Sequence, residues 1–293
     1  NLNAMHSSDW CQRVRPLLVL VGPTAVGKTE VGIMLGKALQ TEVLTADSRQ
    51  VYRGMDIGTD KPTLAEQQGV PHRLIDLVNP DEPFNTGLYR QAALKEIERL
   101  YAEGRIPLVV GGTGLYIRVL LRGLWDGPPA DWAFRQQLMV DAARHGHRHL
   151  HDRLKEVDPV LASTLHFNDH VKIIRGLEVY QILGRPLSSL HQEHACSEQA
   201  FTPLYLGINR ERDTLYRRVE RRVDIQLEKG LVQETQALLA QGYGRERSSM
   251  KGLGYKEIAG YLDWEYSYAE AITLFKRNTR HFVKRQLTWF RRE

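Results

Sequence analysis

Hydrophobic positions in the first half of the chain fall into short solid runs separated by stretches with helical spacing. Pro16 to Val21 (PLLVLV) is a continuous apolar run of strand length, followed at once by a glycine-rich turn. Residues 28–39 then carry helical spacing, which places Val31, Met34, Leu35, Ala38 and Leu39 on one side. Residues 42–45 predict a second strand ending at Ala46-Asp47-Ser48. Gly, Pro, Thr and Asp crowd residues 54–71, so this stretch reads as a long functional loop. Residues 73–78 predict a third strand, and Asn85 or Thr86 caps a helix that runs to Glu103 and is closed by Gly104. A buried-type strand over 106–110 ends in Gly111-Gly112-Thr113-Gly114. Strands and helices alternating in this order imply an α/β protein with a parallel sheet.

The pattern changes after Gly127-Pro128-Pro129. Residues 130–194 show helical periods and no good strand, 201–208 (FTPLYLGI) return to strand character, and long helices follow. The economical division is a core segment over 15–127, an all-helical insertion over 128–195 and a second core segment over 196–293.

Gly22, Pro23, Thr24, Ala25, Val26, Gly27, Lys28 and Thr29 spell G-x-x-x-x-G-K-[ST] directly between a strand and a helix. In that context the glycines let backbone N–H groups close around phosphate oxygens. Lys28 reaches the outer phosphates, and the Thr29 hydroxyl can hold Mg²⁺. The core is therefore expected to be a P-loop NTPase-like parallel sheet flanked by helices. A nucleotide hydrolase would carry an Asp at the end of a further strand to help hold the metal. The strand before Gly111 ends in glycines instead. Asp47 is the first strand-end carboxylate, and at the carboxyl edge of a parallel sheet it points into the ligand crevice. Spacing alone leaves it as a base, a metal ligand or a cap for the next turn.

Composition adds a little. The 293 residues are 42% hydrophobic and 26% charged, which excludes disorder and repeats of collagen type. Two cysteines, Cys11 and Cys196, make no disulfide framework and fit a reducing cytosol. No apolar run reaches the ~18 residues of a membrane span, and residues before Arg15 are set aside as a leader. The net charge of +5 is concentrated late in the chain. Six arginines lie between Arg210 and Arg222, and the last eighteen residues hold seven Lys or Arg against one acid. Such a basic helical face is more often solvated surface, and a polyanionic partner is the other reading it allows.

An ordered set of motifs adds specificity: the phosphate loop, Asp47-Ser-Arg-Gln-Val-Tyr52, Asp56-Ile-Gly-Thr-Asp-Lys-Pro62, Pro71-His-Arg-Leu-Ile-Asp76, Gly111-Gly-Thr-Gly-Leu-Tyr116, Arg175-Gly-Leu-Glu-Val-Tyr180, Gly254-Tyr-Lys-Glu257 and Lys284-Arg-Gln-Leu-Thr-Trp-Phe-Arg291. With these the chain resembles the tRNA dimethylallyltransferases (tRNA isopentenyltransferases) of bacterial type, over about residues 17–291. The resemblance implies transfer of a dimethylallyl group from dimethylallyl diphosphate to N6 of adenosine 37 beside the tRNA anticodon, with Mg²⁺ assisting. It makes Asp47 the general base at the amine, Thr24 a hydrogen-bond partner of the leaving diphosphate, and Arg222 a further contact to it. The phosphate loop, residues 22–29, would bind the diphosphate, with Mg²⁺ near Thr29. For tRNA, the resemblance points to Asp47, Ser48, Arg49, Gln50, Thr113, Arg135, Lys172 and Arg175, with Lys284 and Arg285 as phosphate contacts. Family members often carry Gln-Arg where this chain has Val171-Lys172; the lysine can meet a phosphate but lacks a planar fork. A cytoplasmic monomer with no membrane partner completes the expectation. The rivals are an isopentenyltransferase of free adenine nucleotides, a P-loop kinase of a small metabolite, and an RNA-binding protein that only senses nucleotide.

Other features invite less. His145, His147, His149 and His151 alternate, but only i,i+4 pairs share a helix face, which leaves them short of a tetrahedral metal site. His191, His194 and Cys196 are expected to be inert. Trp289 and Phe290 read as core anchors of the last helix.

Overall fold

The computed structural model describes residues 14–123, 127–195 and 201–293. Among them are five strands and twelve α-helices: β1 (Pro16–Val21), α1 (Lys28–Ala38), β2 (Val43–Ala46), β3 (His72–Arg73), α2 (Thr86–Ala102), β4 (Leu108–Gly111), α3 (Gly114–Arg122), α4 (Trp132–His145), α5 (His147–Val157), α6 (Pro159–Thr164), α7 (His170–Leu183), α8 (Leu187–Ala195), β5 (Thr202–Gly207), α9 (Arg212–Glu228), α10 (Leu231–Ala240), α11 (Tyr255–Leu262) and α12 (Tyr268–Phe290). The strands form one sheet in the order β3-β2-β4-β1-β5, and every pairing is parallel.

Alternation along β1 explains the layers. Leu17, Val19 and Val21 face a cluster that includes Tyr89, Ile97 and Leu100 of α2 and Tyr116 and Leu120 of α3. Leu18 and Leu20 face the other way, onto Ile33 of α1 with Val43, Leu108 and Val110. Both faces of β1 are covered, so its sequence is solidly apolar rather than alternating. Each such buried Leu or Val contributes ~1.5–3 kcal/mol relative to exposure.

Two expectations need correction. The run 73–78 is not a strand: β3 stops at Arg73 because Leu74 and Asp76 adopt positive φ, 65° and 54°, which breaks the ladder. Tyr52 and Val78 form an isolated parallel bridge instead. On α1 the buried residues are Gly32, Ile33 and Gly36, while Met34 is 68% exposed. The helix packs through its glycines: a Cβ on Gly36 would stand 2.5 Å from Val70. Of the side expected to face inward, Val31, Leu35 and Leu39 pack partly buried against the core, whereas Met34 and Ala38 are exposed. The cap of α2 is Asn85, whose side chain accepts from Leu88 N–H at 3.0 Å.

By backbone contacts the chain divides into two units, one comprising Asn1–Gly123 and Ala200–Glu293, the other Leu124–Gln199. In the first, a further cluster joins Val51, Tyr52 and Met55 to Val223, Leu231, Tyr255, Ile258 and Phe275 of α9–α12. The segment after β2 is thereby packed onto the C-terminal helices. The second unit is all-helical among its described residues, around Leu138, Leu150, Leu154, Ile173 and Leu177. Among the described residues no helix is long and apolar enough to cross a membrane.

Candidate active site

The phosphate loop joins β1 to α1. Gly27 has φ 106°, left-handed backbone that glycine adopts without strain, and it opens α1. Lys28 Nζ donates to Pro23 O at 2.7 Å. Burial, reinforced by the Arg222 guanidinium and opposed by the Asp47 carboxylate, pushes the Lys28 ammonium down to about 7. The site is thus poised to accept negative charge. Thr29, exposed on the first turn of α1, presents a hydroxyl with no hydrogen-bond partner among the described residues.

Thr24 is fixed from two sides. Its N–H donates to Gln286 Oε1 at 2.9 Å, and its hydroxyl oxygen accepts from Arg222 Nη1 at 2.6 Å. Arginine can only donate, so the Thr24 hydroxyl proton is left for another acceptor. Arg222 also lies 3.5 Å from Asp60 Oδ2. Two more arginines hold the loop backbone: Arg218 Nε donates to Ala25 O and Arg210 Nε to Val26 O, each at 2.8 Å. Half of the Arg210–Arg222 cluster therefore braces the phosphate loop rather than forming a solvated face.

Asp47 follows β2 on the same carboxyl edge of the sheet. Its Oδ1 accepts from Arg49 N–H at 2.8 Å and Gln50 N–H at 3.3 Å, which caps the turn. Its Oδ2 takes no hydrogen bond from the described residues, so capping and base chemistry use different oxygens. Thr113 ties this turn to the end of β4: its N–H donates to Ala46 O and its Oγ1 accepts from Ser48 N–H, both at 3.1 Å. Asp47, Ser48 and Thr113 are thus brought together. Arg49 donates to Ser248 O at 2.6 Å, and Gln50 Nε2 to Thr59 O at 3.1 Å and Asp60 O at 3.3 Å. These two side chains already brace neighbouring loops.

The glycine-, proline- and aspartate-rich loop is pinned, not loose. Lys61, with its side chain 6% exposed, bridges Asp56 and Asp76 at 2.5 Å each. Glu234 of α10 accepts from the N–H groups of Asp56, Ile57 and Gly58 and from the Tyr255 hydroxyl. Gln226 of α9 donates to Ile57 O and Gly58 O. The clamped loop delivers Asp60 to Arg222.

Arg135, Lys172 and Arg175 belong to the second unit. Arg135 grips the fully buried Glu178 with two parallel bonds, 2.7 Å to Oε1 and 2.8 Å to Oε2. Arg175 reaches the same carboxylate at 2.5 Å, and Asp131 N–H donates to it at 2.7 Å. Burial pushes the Glu178 carboxyl up, yet the bonds from Arg135, Arg175 and Asp131 N–H outweigh it and hold the group at about 2. Arg135 also lies over the exposed Trp132 ring, 5.1 Å from its centroid. Lys172 pairs with Asp169 at 2.8 Å. In the first unit, Lys284 and Arg285 are exposed on α12.

Among the described residues no cluster of His, Cys, Asp and Glu could hold a metal. The His145 and His149 rings stand 5.1 Å apart, and His151 Nε2 turns onto Ala162 O and Leu165 O instead. The His147 and His194 side chains and Cys196 lie outside what is described. Phe290 packs on the main core, and the Arg118 guanidinium lies 4.1 Å from the Trp289 ring centroid.

Sequence reasoning passed over Gln286, Arg210 and Arg218. A signal for Gln286 existed: Ala271, Phe275, Thr279, Val283 and Gln286 recur at helical spacing, and all five are buried. A polar side chain on that stripe needs a buried partner. Nothing local distinguishes Arg210 and Arg218 from their neighbours, because their partners are backbone carbonyls about 190 residues away.

Comparison with known proteins bears on this geometry. A family model described as IPP transferase matches residues 50–293. The chain is 51% identical over 278 residues to a tRNA dimethylallyltransferase of Desulforudis audaxviator, covering 95% of this chain and 89% of that protein. It is 47% identical over 277 residues to tRNA dimethylallyltransferase 2 of Geotalea uraniireducens, covering 94% and 89%. Among solved structures, a tRNA isopentenylpyrophosphate transferase from Bacillus halodurans matches with TM-score 0.71 at 41% identity, covering 95% of this chain and 87% of that one. A eukaryotic dimethylallyltransferase acting on tRNA matches with TM-score 0.78 at 29% identity, covering 94% and 69%.

Proposed function

The chain belongs to the IPP transferase family, and on that premise we propose that it transfers a dimethylallyl group from dimethylallyl diphosphate to N6 of adenosine 37, next to the tRNA anticodon, with release of diphosphate. The observation that carries this reading is the shared sheet edge. Thr24 with Arg222, the lowered Lys28 and the free Oδ2 of Asp47 follow strands β1 and β2, which both flank β4.

Each residue then has a task. The amine nitrogen attacks the first carbon of the dimethylallyl group, and the carbon–oxygen bond breaks with its electron pair leaving on the diphosphate. Asp47 Oδ2 takes the proton that the amine sheds. Lys28, protonated once the anion is bound, stabilises the growing negative charge together with Arg222 and the loop amides. The Thr24 hydroxyl, held by Arg222, donates its proton toward the departing oxygen. The target base leaves its stack to reach the pocket, at a cost of a few kcal/mol, as single-stranded RNA loops permit.

Mg²⁺ suits the donor set. Thr29 offers one exposed hydroxyl, and the described residues contain no carboxylate cage. Mg²⁺ keeps several waters and binds mainly through substrate phosphates, so one protein oxygen suffices. When bound there, it neutralises charge on the leaving diphosphate. Lys284 and Arg285 on α12 and Lys172 in the second unit serve as tRNA phosphate contacts. The setting is the cytoplasm, and a monomer suffices because all these residues come from one chain.

The test offers labelled dimethylallyl diphosphate and Mg²⁺ with an unmodified anticodon stem-loop or with AMP. Label in the stem-loop alone supports the reading; label only in AMP replaces it with transfer to free nucleotides. Asp47→Ala should lower turnover by ~10²–10⁴-fold while stem-loop binding survives. Near wild-type turnover in that variant would remove Asp47 as the base.

A further inference from the structure

Gln286 is a buried amide, 7% exposed, whose two ends are both engaged. Oε1 accepts from Thr24 N–H and Nε2 donates to Gly112 O, each at 2.9 Å. One side chain on α12 therefore joins the phosphate loop after β1 to the turn after β4. Gly112 admits it: a Cβ there would stand 2.5 Å from Nε2. The next residue, Thr113, bonds to Ala46 O and Ser48 N–H, the two positions that bracket Asp47. A path of hydrogen bonds and one peptide link thus runs from Thr24 through Gln286, Gly112 and Thr113 to Ala46 and Ser48, the chain neighbours of Asp47.

We infer that Gln286 is a positioning residue that sets the spacing between the leaving-group donor Thr24 and the base Asp47. The inference rests on the function proposed above. Its chemistry explains the residue type. A neutral side chain must accept from one backbone N–H and donate to one backbone C=O at the same time, which an amide does in a single orientation. A carboxylate could only accept, and would add negative charge beside the diphosphate. The bond from Thr24 N–H also has a consequence for binding. It withholds one loop amide from the phosphate cradle, so Gln286 contributes to turnover at the expense of ground-state affinity.

The test measures prenyl transfer to the stem-loop, inorganic diphosphate binding and stem-loop binding in the wild type, Gln286→Leu, Gly112→Ala and the double variant. Gln286→Leu should lower kcat by about 10²-fold, as expected for a misplacement of about 1 Å between reacting groups. Diphosphate binding should hold or tighten, because Thr24 N–H is released, and KM for the stem-loop should stay unchanged. A merely structural role predicts weaker binding of both ligands along with the lost turnover. Gly112→Ala should reproduce the kcat defect, since its Cβ displaces the amide. The double variant should be no worse than either single one, the sign of a shared path. Wild-type kcat in Gln286→Leu overturns the inference, as do additive losses or weakened diphosphate binding. A wild-type protein that transfers no label would instead overturn the function itself, so the two failures are distinguishable.

Discussion

Lys28 gives the most quantitative prediction. Burial and the nearby Arg222 guanidinium, opposed by the Asp47 carboxylate, bring its ammonium down to about 7. A bound diphosphate reverses the local charge and returns the group toward its ordinary value, ~10.4. Binding therefore takes up a proton wherever the free lysine is neutral. For a group titrating near 7, the uptake is ~0.9 proton at pH 8 and ~0.1 at pH 6. The sign follows: affinity for diphosphate is insensitive to this group below pH 7 and falls by about tenfold per pH unit above it, until the lysine of the complex itself deprotonates. Titration calorimetry in buffers of different ionisation enthalpy reads the uptake directly, and inorganic diphosphate without RNA isolates the step. Lys28→Met supplies the correction for the ligand's own protons. Equal uptake by wild type and Lys28→Met at pH 8 would refute the reasoning, as would an unchanged difference in affinity between pH 7 and pH 9.

Three further outcomes follow from the buried and surface charges. Arg135→Ala leaves the buried Glu178 with one guanidinium instead of two, and should lower stability by ~3 kcal/mol in denaturant unfolding, so that any loss of tRNA binding must be read against folding. Glu178 is held near 2, below its ordinary value, so its contribution is present above about pH 4.5 and fades as pH falls toward 2; an acid-unfolding curve identical to that of Glu178→Gln would contradict this. Binding of the anticodon stem-loop should weaken steeply with salt, and Lys284→Glu with Arg285→Glu should reduce the slope of log K against log salt by about 1.4, at ~0.7 per lost phosphate contact. A slope unchanged by the pair would take α12 out of the RNA surface.

Features that depend on local chemistry and periodicity were legible along the chain. The solid run of β1, the G-x-x-x-x-G-K-T loop and the Asn85 cap all lie within a few residues of the groups they serve, so they were legible. Asp47 was legible as a strand-end carboxylate, though not which of its oxygens caps the turn and which stays free. Tertiary structure decided the rest. On α1 periodicity placed Val31, Leu35 and Leu39 against the core but not Met34 and Ala38, because the closest approach is made through Gly32 and Gly36, against Val110 and Val70. Extended-looking residues 73–78 form no continuous strand: Arg73 pairs with Leu44 and Val78 bridges Tyr52, and left-handed backbone at Leu74 and Asp76 breaks the ladder between them. Gln286, Arg210 and Arg218 reach carbonyls or amides 174 to 262 residues distant. Only folding, which carries α9, the turn that precedes it and α12 back to the ends of β1 and β4, gives those side chains partners.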